Sequence, residues 1–400
     1  MTPKGSPPSP KARHLLVTND FPPKIGGIQQ YLFELWSRLD PDTFQIHTTP
    51  YGGAEVFDAQ YDYTAIRSTE PVLLPYPWLT KRLDEAAASF GADLHVIDPA
   101  VPLGVIGSSL AQPYAVVLHG AEVTIPGRLP GTSQVLARVL DNATAVISAG
   151  EYALAEAERT VGRPLTSVVI PPGVDVDRFA PTTPEEQRVI REKYNIAAEA
   201  PFIFSLSRLV PRKGMDTLIK VAARLHTTYP DLEVCIAGGG REEKRLAQLI
   251  ARTGAPVRLL GRVSEEDKAQ LLSAADIFAM LCRNRWGGLE QEGFGIVFVE
   301  AAASGTPQIA GSSGGADEAV LDGVTGLVTP QNATLSEVVD TFRSLLDDPV
   351  KRVEMSEAGR TRAESSFSYD ILAQRLATSI SSWIDDLPST PTGSLERGEQ

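Results

Sequence analysis

The fold is decided by the stretch Phe202-Ile-Phe-Ser-Leu-Ser-Arg-Leu-Val-Pro-Arg-Lys-Gly214, an apolar segment that leads into a basic loop ending in glycine. A short apolar run bounded by turn residues is typical of a strand buried on both faces, as in a parallel sheet. Similar runs follow at residues 232–237, 257–260, 276–280 and 308–310. Segments with amphipathic helical spacing separate them, for example 244–251 and 268–274. This half of the chain therefore predicts a β-α-β series.

The first half of the chain shows the same alternation. Its predicted buried strands are residues 14–18, 94–97, 114–118 and 145–148, and its predicted helices include 28–39 and 79–90. Two such series predict an α/β fold with two doubly wound, Rossmann-like domains. Ligands of these sheets bind outside the carboxyl ends of the strands, so we expect the site in a deep cleft where the two domains face each other.

The domain boundary is predicted from a segment that proline and glycine keep irregular, Ile170-Pro-Pro-Gly-Val-Asp-Val-Asp-Arg-Phe-Ala-Pro181. We expect an N-terminal domain over 14–174 and a C-terminal domain over 175–370. A last helix over 371–386 is expected to pack back on the N-terminal domain. The polar, proline-containing ends, 1–13 and 387–400, are expected to be disordered tails.

Composition excludes several classes of protein. The chain has 400 residues, 42% of them hydrophobic, and no apolar run near the length that spans a bilayer. A formal charge of −13 argues against a nucleic-acid-binding protein. The N-terminus is polar, so we expect no signal peptide there. Cys235 and Cys282 lie on apolar segments far apart, and we expect them to be reduced and buried, which suits a cytoplasmic protein.

Three cations stand on the short loop that follows the strand at 202–206: Arg208, Arg212 and Lys213. Arginine offers a fork to two phosphate oxygens and lysine adds a point charge. The loop therefore predicts a binding site for a diphosphate that gathers charge as it leaves. The alternative is a solvated basic loop before a helix.

Two glutamates flank a glycine-rich turn in Glu292-Gly-Phe-Gly-Ile-Val-Phe-Val-Glu300, and Glu300 is expected to stand at the start of a helix that the run Phe298-Val-Glu-Ala-Ala-Ala-Ser-Gly305 predicts. A loop that enters a helix presents free backbone N–H groups and the positive end of the helix dipole, which favour a phosphate. The carboxylates can accept hydrogen bonds from hydroxyls on either side of it, and a diphosphate between two polyols is a sugar nucleotide. The alternative is one glutamate that caps a helix and one that is merely solvated.

The N-terminal half adds two candidate elements. In Ile25-Gly-Gly-Ile-Gln29 a glycine pair allows close backbone approach to a ligand, and a helix begins near Ile28. His119 ends a predicted strand, where it can hydrogen-bond a sugar hydroxyl or a transferring proton. A turn and a structural capping group are the respective alternatives.

Two further motifs are given no ligand-binding role. Gly238-Gly-Gly240 lacks the spacing of a dinucleotide fingerprint and is interpreted as a tight strand-to-helix turn. Asp175-Val-Asp177 imitates a metal-binding pair, but no third ligand lies near it in the sequence, so we expect no metal there.

Taken together, these motifs resemble those of the retaining glycosyltransferases of family 4, which have the two-domain GT-B fold. The resemblance runs from about His14 to Phe367. Three segments are similar to those of the phosphatidylinositol monomannoside mannosyltransferases: Thr18-Asn-Asp-Phe-Pro-Pro-Lys-Ile-Gly-Gly-Ile-Gln29, Ser207-Arg-Leu-Val-Pro-Arg-Lys-Gly214 and Glu292-Gly-Phe-Gly-Ile-Val-Phe298. Those enzymes transfer mannose from GDP-mannose to a glycolipid. The resemblance implies a hexosyltransferase with GDP-mannose as donor substrate, a lipid-linked acceptor, and no metal or other cofactor.

The resemblance also implies roles for individual residues. It gives catalytic roles to His119, Arg208, Lys213 and Glu292. It implies that the donor is bound by Gly26, Gly27, Arg208, Arg212, Lys213, Val263, Glu265, Lys268, Glu292, Gly295, Ile296, Val297 and Glu300. Among these, Glu292 would bind the donor sugar and Glu300 the ribose. Asp20 and Gln29 are the implied acceptor-binding residues.

The chain departs from those enzymes chiefly in the domain that handles the acceptor. Ala121 stands where they carry a second histidine, and Thr124-Ile-Pro-Gly-Arg128 replaces their tryptophan-containing segment. In the other domain, Asp317 stands before Glu318 where they carry proline. Two alternatives stay open: a transferase that uses UDP- or ADP-glucose to build a polysaccharide or small glycoside, and a sugar-nucleotide-binding protein without turnover. A nicotinamide-dependent oxidoreductase is disfavoured because the G-x-G-x-x-G fingerprint is absent.

A lipid acceptor would require contact with a membrane surface. The segment Leu73-Leu-Pro-Tyr-Pro-Trp-Leu-Thr-Lys-Arg82 combines aromatic and basic residues, as an interfacial contact does. The alternative is an ordinary half-buried loop and helix start. We expect a cytoplasmic protein with peripheral contact to anionic lipid on the inner face of the plasma membrane.

Overall fold

The computed structural model describes residues 12–288 and 290–387. The tails predicted at 1–13 and 387–400 therefore lie, except for residues 12, 13 and 387, outside the described residues. Within them the chain forms two sheets in which every pair of neighbouring strands is parallel. The predicted α/β fold with two doubly wound, Rossmann-like domains is confirmed.

The first sheet has the strand order β3-β2-β1-β4-β5-β6-β7. Its strands are β1 (His14–Thr18), β2 (Phe44–Thr48), β3 (Thr64–Arg67), β4 (Leu94–Asp98), β5 (Tyr114–Leu118), β6 (Ala145–Ser148) and β7 (Ser167–Val169). The second sheet has the order β10-β9-β8-β11-β12-β13. Its strands are β8 (Phe202–Leu206), β9 (Glu233–Ala237), β10 (Val257–Gly261), β11 (Ile277–Met280), β12 (Gln308–Gly311) and β13 (Gly326–Thr329).

Helices connect the strands and cover both faces of each sheet. In the first half they are α1 (Gly27–Trp36), α2 (Ala54–Asp58), α3 (Pro77–Phe90), α4 (Ala121–Arg128), α5 (Thr132–Asn142) and α6 (Glu151–Val161). In the second half they are α7 (Pro184–Lys193), α8 (Met215–Leu225), α9 (Glu243–Thr253), α10 (Glu265–Ala274), α11 (Ile296–Ala303), α12 (Ala316–Ala319), α13 (Leu335–Leu346), α14 (Pro349–Arg362) and α15 (Tyr369–Asp385). Short 3₁₀ helices lie at Pro41–Thr43, Leu103–Ser109, Pro211–Lys213 and Trp286–Gly288, and a π-helical turn lies at Ala363–Phe367.

Each sheet reverses its winding direction at one place. In the first sheet β1 lies between β2 and β4, and in the second β8 lies between β9 and β11. Loops that leave the carboxyl ends of strands on either side of such a point diverge and leave a crevice between them. The predicted site residues lie in loops after strand ends or in the first two turns of the helices that follow them, which is why the topology can bring them together.

The last helix, α15, belongs to the core of the first sheet although it follows the second in sequence. Its Leu372, Leu376 and Ile380 are buried in one cluster with Leu32 and Trp36 of α1. The chain returns through a bridge in which the N–H of Val174 donates to the carbonyl of Phe367 over 2.8 Å. The junction between the two domains therefore consists of two chain crossings that lie side by side.

The carboxyl edges of the two sheets face each other. Gly150 and Glu151 follow β6 of the first sheet, and Glu318 follows β12 of the second. The backbone N–H of Glu151 donates to the carboxylate of Glu318 over 3.1 Å. This contact between residues 167 apart in sequence places both crevices on the same cleft.

Candidate functional site

The basic loop after β8 stands at the second crevice and is supported from below by glycines. The N–H of Leu209 donates to the carbonyl of Gly239 over 3.0 Å, and the N–H of Glu242 donates to the carbonyl of Leu209 over 3.2 Å. A Cβ atom on Gly238, whose φ is +118°, would lie 1.9 Å from the carbonyl oxygen of Ser207. The Gly238-Gly-Gly240 turn is thus a platform that requires glycine so that the loop can approach it closely.

The three cations of this loop differ in their surroundings. Arg208 is exposed, and among residues 12–288 and 290–387 its guanidinium has no ion pair. Lys213 is buried, and its Nζ lies 2.7 Å from Oε2 of Glu292. Arg212 lies 3.7 Å from a carboxylate oxygen of Glu290 and 3.9 Å from Oε2 of Glu292. Arg208 is therefore the cation that is open to a ligand, whereas Lys213 is held by a carboxylate.

Glu292 lies in the connection between β11 and β12 and is almost fully buried. Its backbone N–H donates to Oγ of Ser313 over 3.1 Å, and its carbonyl accepts from the N–H of Gly315 over 3.1 Å. The thiol of Cys282 lies 3.6 Å from its Oε2. The position of Glu292 is thus fixed by backbone bonds, and its side chain is oriented by Lys213.

The helix behind Glu292 starts earlier than the sequence indicated. Gly295 adopts φ +81° and precedes α11, so the free N–H groups belong to Ile296 and Val297, whereas the N–H of Phe298 donates to the carbonyl of Gly295 over 2.9 Å. The helix has no side-chain cap and no acidic residue in its first turn. Glu300 therefore lies in the second turn, not at the helix start as expected, and an anion at this N-terminus would meet only backbone groups and the helix dipole.

Glu300 is paired with Lys268, another residue that the resemblance implies in donor binding. Nζ of Lys268 lies 2.7 Å from Oε1 of Glu300 and 2.8 Å from Oε2 of Glu265, and it stands 4.9 Å from the ring centre of Phe179. Burial raises the pKa of Glu300 in spite of Lys268, and the two carboxylates raise the pKa of Lys268 against the effect of its burial. Val263 is half-buried against the core beside them.

The first crevice contains a chain of hydrogen bonds that the sequence did not predict. Oγ1 of Thr18, at the end of β1, donates to Oδ2 of Asp98, at the end of β4, over 2.6 Å. The other oxygen of Asp98 lies 2.6 Å from Nε2 of His119, which follows β5. Asp98 is fully buried, and the ring of Tyr31 stands edge-on to the imidazole with 5.4 Å between ring centres.

The charge of His119 follows from these neighbours. Burial lowers the pKa of the imidazole, but the carboxylates of Asp98, Glu122 and Asp20 outweigh it, so the pKa of His119 lies above its ordinary value. Because Asp98 takes Nε2, Nδ1 is the ring nitrogen left for a ligand. The structure thus places His119 at the crevice, and Asp98 is a residue that sequence reasoning missed.

The remaining candidate residues of the N-terminal domain lie beside the hydrogen bonds that join Thr18, Asp98 and His119. Gly26 and Gly27 are exposed at the start of α1, and the space next to Cα of Gly26 is filled by the amide of Gln29. Gln29 donates from Nε2 to Asp20, and Lys24 forms an ion pair of 2.7 Å with the same carboxylate. Asp20 and Gln29 therefore form one polar group next to the open N-terminus of α1.

The segment proposed to contact membranes is only partly exposed. Leu73 and Leu79 are buried in the first domain, whereas Tyr76 and Trp78 are 43% and 57% exposed and stack with 4.3 Å between ring centres. Lys81 stands exposed one turn further along α3. No helix in the part of the chain that the structure describes has the length and apolar character needed to cross a membrane.

Across residues 12–288 and 290–387, no group of three or more histidine, cysteine, aspartate or glutamate side chains is arranged to hold a metal ion. Oδ1 of Asp175 instead accepts from the backbone N–H groups of Asp177 and Arg178 over 3.1 and 3.0 Å, which is a local turn.

The fold and the site are those expected of a glycosyltransferase, and comparison with known proteins agrees. The chain belongs to the group 1 glycosyltransferases, whose family pattern ("Glycosyl transferases group 1") matches residues 186–362. It is 37% identical to the GDP-mannose-dependent monoacylated alpha-(1-6)-phosphatidylinositol monomannoside mannosyltransferase of Corynebacterium glutamicum, over 94% of this chain and 99% of the relative. It is 35% identical to the GDP-mannose-dependent alpha-(1-6)-phosphatidylinositol monomannoside mannosyltransferase of Mycobacterium tuberculosis, over 92% of this chain and 97% of the relative.

Solved structures show the same two-domain fold. Anabaena HepE in complex with UDP superposes with a TM-score of 0.77 at 23% identity, covering 92% of this chain and 100% of that one. WaaG, a glycosyltransferase involved in lipopolysaccharide biosynthesis, superposes with a TM-score of 0.64 at 18% identity, covering 92% and 99%. The expected GT-B architecture and the expected glycosyltransferase family are both confirmed.

Proposed function

We propose that this chain transfers mannose from GDP-mannose to a phosphatidylinositol mannoside, with retention of the anomeric configuration and without a metal ion. The observation that carries the proposal is the ion pair of Lys213 with Glu292 just before the open N-terminus of α11, with the exposed Arg208 on the same loop as Lys213. It occurs in a chain 37% identical, over nearly its full length, to a mannosyltransferase that depends on GDP-mannose.

The donor would be bound mainly by the second domain. Arg208, which is exposed and unpaired within the described residues, and the N–H groups at the start of α11 would contact the diphosphate. Lys213 would turn from Glu292 toward the phosphate, and this would free the Glu292 carboxylate to accept hydrogen bonds from the sugar hydroxyls. Lys268 and Glu300 would exchange their ion pair for contacts with the ribose.

The chemical step would proceed on one face of the sugar. The bond between the anomeric carbon and the diphosphate oxygen breaks, the acceptor hydroxyl oxygen bonds to the same carbon, and its proton passes to the departing phosphate. Arg208 and Lys213 would stabilise the charge that the diphosphate gains, which is a use of prearranged cations that lowers the barrier. These cations supply positive charge at the place where a metal-dependent transferase would need an ion.

The acceptor would be bound by the first domain. His119 would contact the mannosyl group through Nδ1, while Asp20 and Gln29 contact the acceptor headgroup. The exposed Tyr76–Trp78 pair with Lys81 is suited to the boundary between lipid headgroups and acyl chains. We therefore propose a cytoplasmic enzyme with peripheral contact to anionic membrane on the inner face of the plasma membrane.

The test is a transfer assay in chelator with the purified protein, phosphatidylinositol monomannoside in detergent, and GDP-mannose, UDP-glucose or ADP-glucose. We expect a dimannosylated product from GDP-mannose alone, with the new linkage in the α configuration by NMR. Transfer of glucose instead of mannose would replace the donor assignment. Hydrolysis or no turnover with all three donors would contradict the function.

A further inference from the structure

The two domains are in contact at the N-terminus of α6. This helix has 11 residues, its N-cap is Gly150, and no side chain of its own caps it. The two carboxylate oxygens of Glu318, from the other domain, accept from the backbone N–H groups of Glu151 and Tyr152 over 3.1 and 3.0 Å. A helix start carries unpaired N–H groups and partial positive charge, so a bidentate carboxylate satisfies both. The cap of α6 is therefore supplied across the cleft.

The position after β6 is suited to this approach. A Cβ atom at Gly150 would lie 3.1 Å from Oε2 of Glu318 and 3.6 Å from Oε1. This is closer than a side chain normally comes to a carboxylate without a shift of one of them. Glycine at 150 thus leaves the space in which Glu318 reaches the helix.

Glu318 is itself held on its own side by two separate connections. Its backbone carbonyl accepts from the guanidinium of Arg362 over 2.6 Å, and that guanidinium stands over the ring of Phe367 at 4.6 Å. The carbonyl of Phe367 in turn accepts from Val174 in the crossing between domains. The contact at α6 and the chain crossing are therefore joined through one arginine.

The second connection leads to the donor side of the cleft. The segment before α12 is hydrogen-bonded to the backbone of Glu292. Oγ of Ser313 accepts from the N–H of Glu292, and the N–H of Gly315 donates to the carbonyl of Glu292. A Cβ atom at Gly315 would lie 2.2 Å from the carbonyl oxygen of Gly293. This close packing leaves Glu318 little freedom to move independently of Glu292.

We propose that Glu318 is a positioning residue for glycosyl transfer: by capping α6 of the opposite domain it sets the spacing between Glu292 and the His119 side of the cleft. The kinetic part of this proposal rests on the proposed function, but the structural part does not. A shift of about 1 Å between donor and acceptor groups is enough to slow transfer strongly. Because α12 is held through its backbone, removal of the carboxylate should leave the local fold intact.

The experiment compares Glu318→Ala and Glu318→Gln with Asp317→Asn in the full chain. Asp317 is the adjacent residue on α12, is exposed, and accepts a hydrogen bond from Ser312 of its own domain over 2.8 Å, so it is a matched control for the loss of a charge. Hydrogen exchange of the amides of Glu151 and Tyr152 reports the cap, small-angle scattering reports the spacing of the domains, and the transfer assay reports its consequence.

We expect amide exchange at Glu151 and Tyr152 to be about tenfold faster in Glu318→Ala, which corresponds to ~1.4 kcal/mol, and to be unchanged in Asp317→Asn. We expect a larger radius of gyration in Glu318→Ala, with kcat/KM for the acceptor lower by about tenfold and GDP affinity within about twofold of wild type. Glu318→Gln, which keeps one acceptor oxygen, should fall between the two.

Equal exchange and equal scattering in Glu318→Ala and Asp317→Asn would overturn the proposal. So would faster exchange at α6 with unchanged kcat/KM, because the cap would then have no role in transfer. A wild-type protein that transfers no mannose would contradict the proposed function instead, and the exchange and scattering results would still decide whether Glu318 holds the domains.

Discussion

The two crevices carry buried charged groups in contrasting arrangements. In the second domain the cations assigned to the donor lie against carboxylates that are also assigned to the donor: Lys213 on Glu292 and Lys268 on Glu300, each at 2.7 Å. In the first domain His119 lies against Asp98, a residue with no proposed ligand of its own. In the binding mode that we propose, the donor replaces ion pairs in the second domain, whereas the first domain keeps its pair when a ligand binds.

This difference has a physical consequence for each side. An ion pair that must break when the ligand binds lowers the affinity for that ligand. While the ligand is absent, the same pair prevents each buried charge from being isolated, which would cost several kcal/mol. A pair that persists orients one group and fixes its protonation. The donor side is thus arranged to exchange partners, and the acceptor side is arranged to hold one geometry.

The largest effect is expected from Glu292→Gln, which removes the carboxylate that pairs with Lys213 and that is proposed to bind the donor sugar. We expect kcat to fall by about 10²–10³-fold because the sugar hydroxyls lose a charged acceptor. GDP affinity should be unchanged or tighter, because Lys213 no longer has a competing carboxylate. Steady-state kinetics and calorimetry with GDP check both parts, and Glu354→Gln, at an exposed carboxylate of α14 that has no proposed role in binding, is the control. A loss of GDP binding that matches the loss of kcat would contradict this role.

The next effect compares two cations of the same loop. Arg208→Ala and Lys213→Ala should each remove roughly 2–4 kcal/mol of transition-state stabilisation, which is measured as a fall in kcat/KM. Only Lys213→Ala should also destabilise the fold, because it leaves Glu292 buried without its partner, whereas Arg208 is exposed. Kinetics and thermal unfolding of both variants, with the exposed Lys220→Ala as control, measure this. Near-normal turnover in both would refute the leaving-group assignment.

A smaller effect is expected on the acceptor side, and it depends on pH. The folded-state pKa of His119 lies above its unfolded value of about 6.5. The protonated imidazole therefore stabilises the fold fully below about pH 6.5, and this contribution is lost as the pH rises through the raised pKa.

Asp98→Asn should abolish this dependence. We expect its Tm to be roughly 2–4 °C below that of wild type at pH 6, with a smaller difference at pH 9. Thr18→Val removes the other hydrogen bond of Asp98 without removing a charge, so its Tm difference should not vary with pH. A difference for Asp98→Asn that is the same at both pH values would show that Asp98 does not control the charge of His119.

The smallest effect on chemistry is expected at the exposed aromatic pair. Trp78→Ala should leave transfer to detergent-solubilised acceptor within about twofold of wild type but reduce flotation with vesicles that contain anionic lipid. The control is Val189→Ala, at an exposed apolar residue of the second domain. Equal flotation of Trp78→Ala and wild type would assign membrane contact to another surface.

The sequence predicted what is local and missed what is distant. Arg208, Lys213 and Glu292 could be recognised because each stands in a short loop after a strand, where residue type and spacing indicate the chemistry. Asp98 could not, because it ends an apolar strand and its partner His119 lies 21 residues away on the neighbouring strand. Its one signal was a carboxylate at the carboxyl end of a strand that is otherwise apolar.

The same reason explains the errors in the fold. Strands β2, β3, β7 and β13 were not predicted. Three of them, β3, β7 and β13, are edge strands with half-exposed residues, where the apolar pattern is weak, and β2 lies next to an edge. The start of α11 was placed too late because the positive φ of Gly295, which marks the boundary, is set by the loop around it. The pairing of Lys213 with Glu292 and of Lys268 with Glu300 could not be predicted, because the partners are far apart in sequence and meet only in the folded chain.

The most direct test of the account is a calorimetric titration of the wild-type protein with GDP, UDP and ADP in the presence of chelator. We expect GDP to bind at least about tenfold more tightly than UDP or ADP, a difference of ~1.4 kcal/mol or more in binding free energy. We also expect GDP binding to need no metal ion. Tighter binding of UDP or ADP, or binding that appears only when a divalent cation is added, would contradict it.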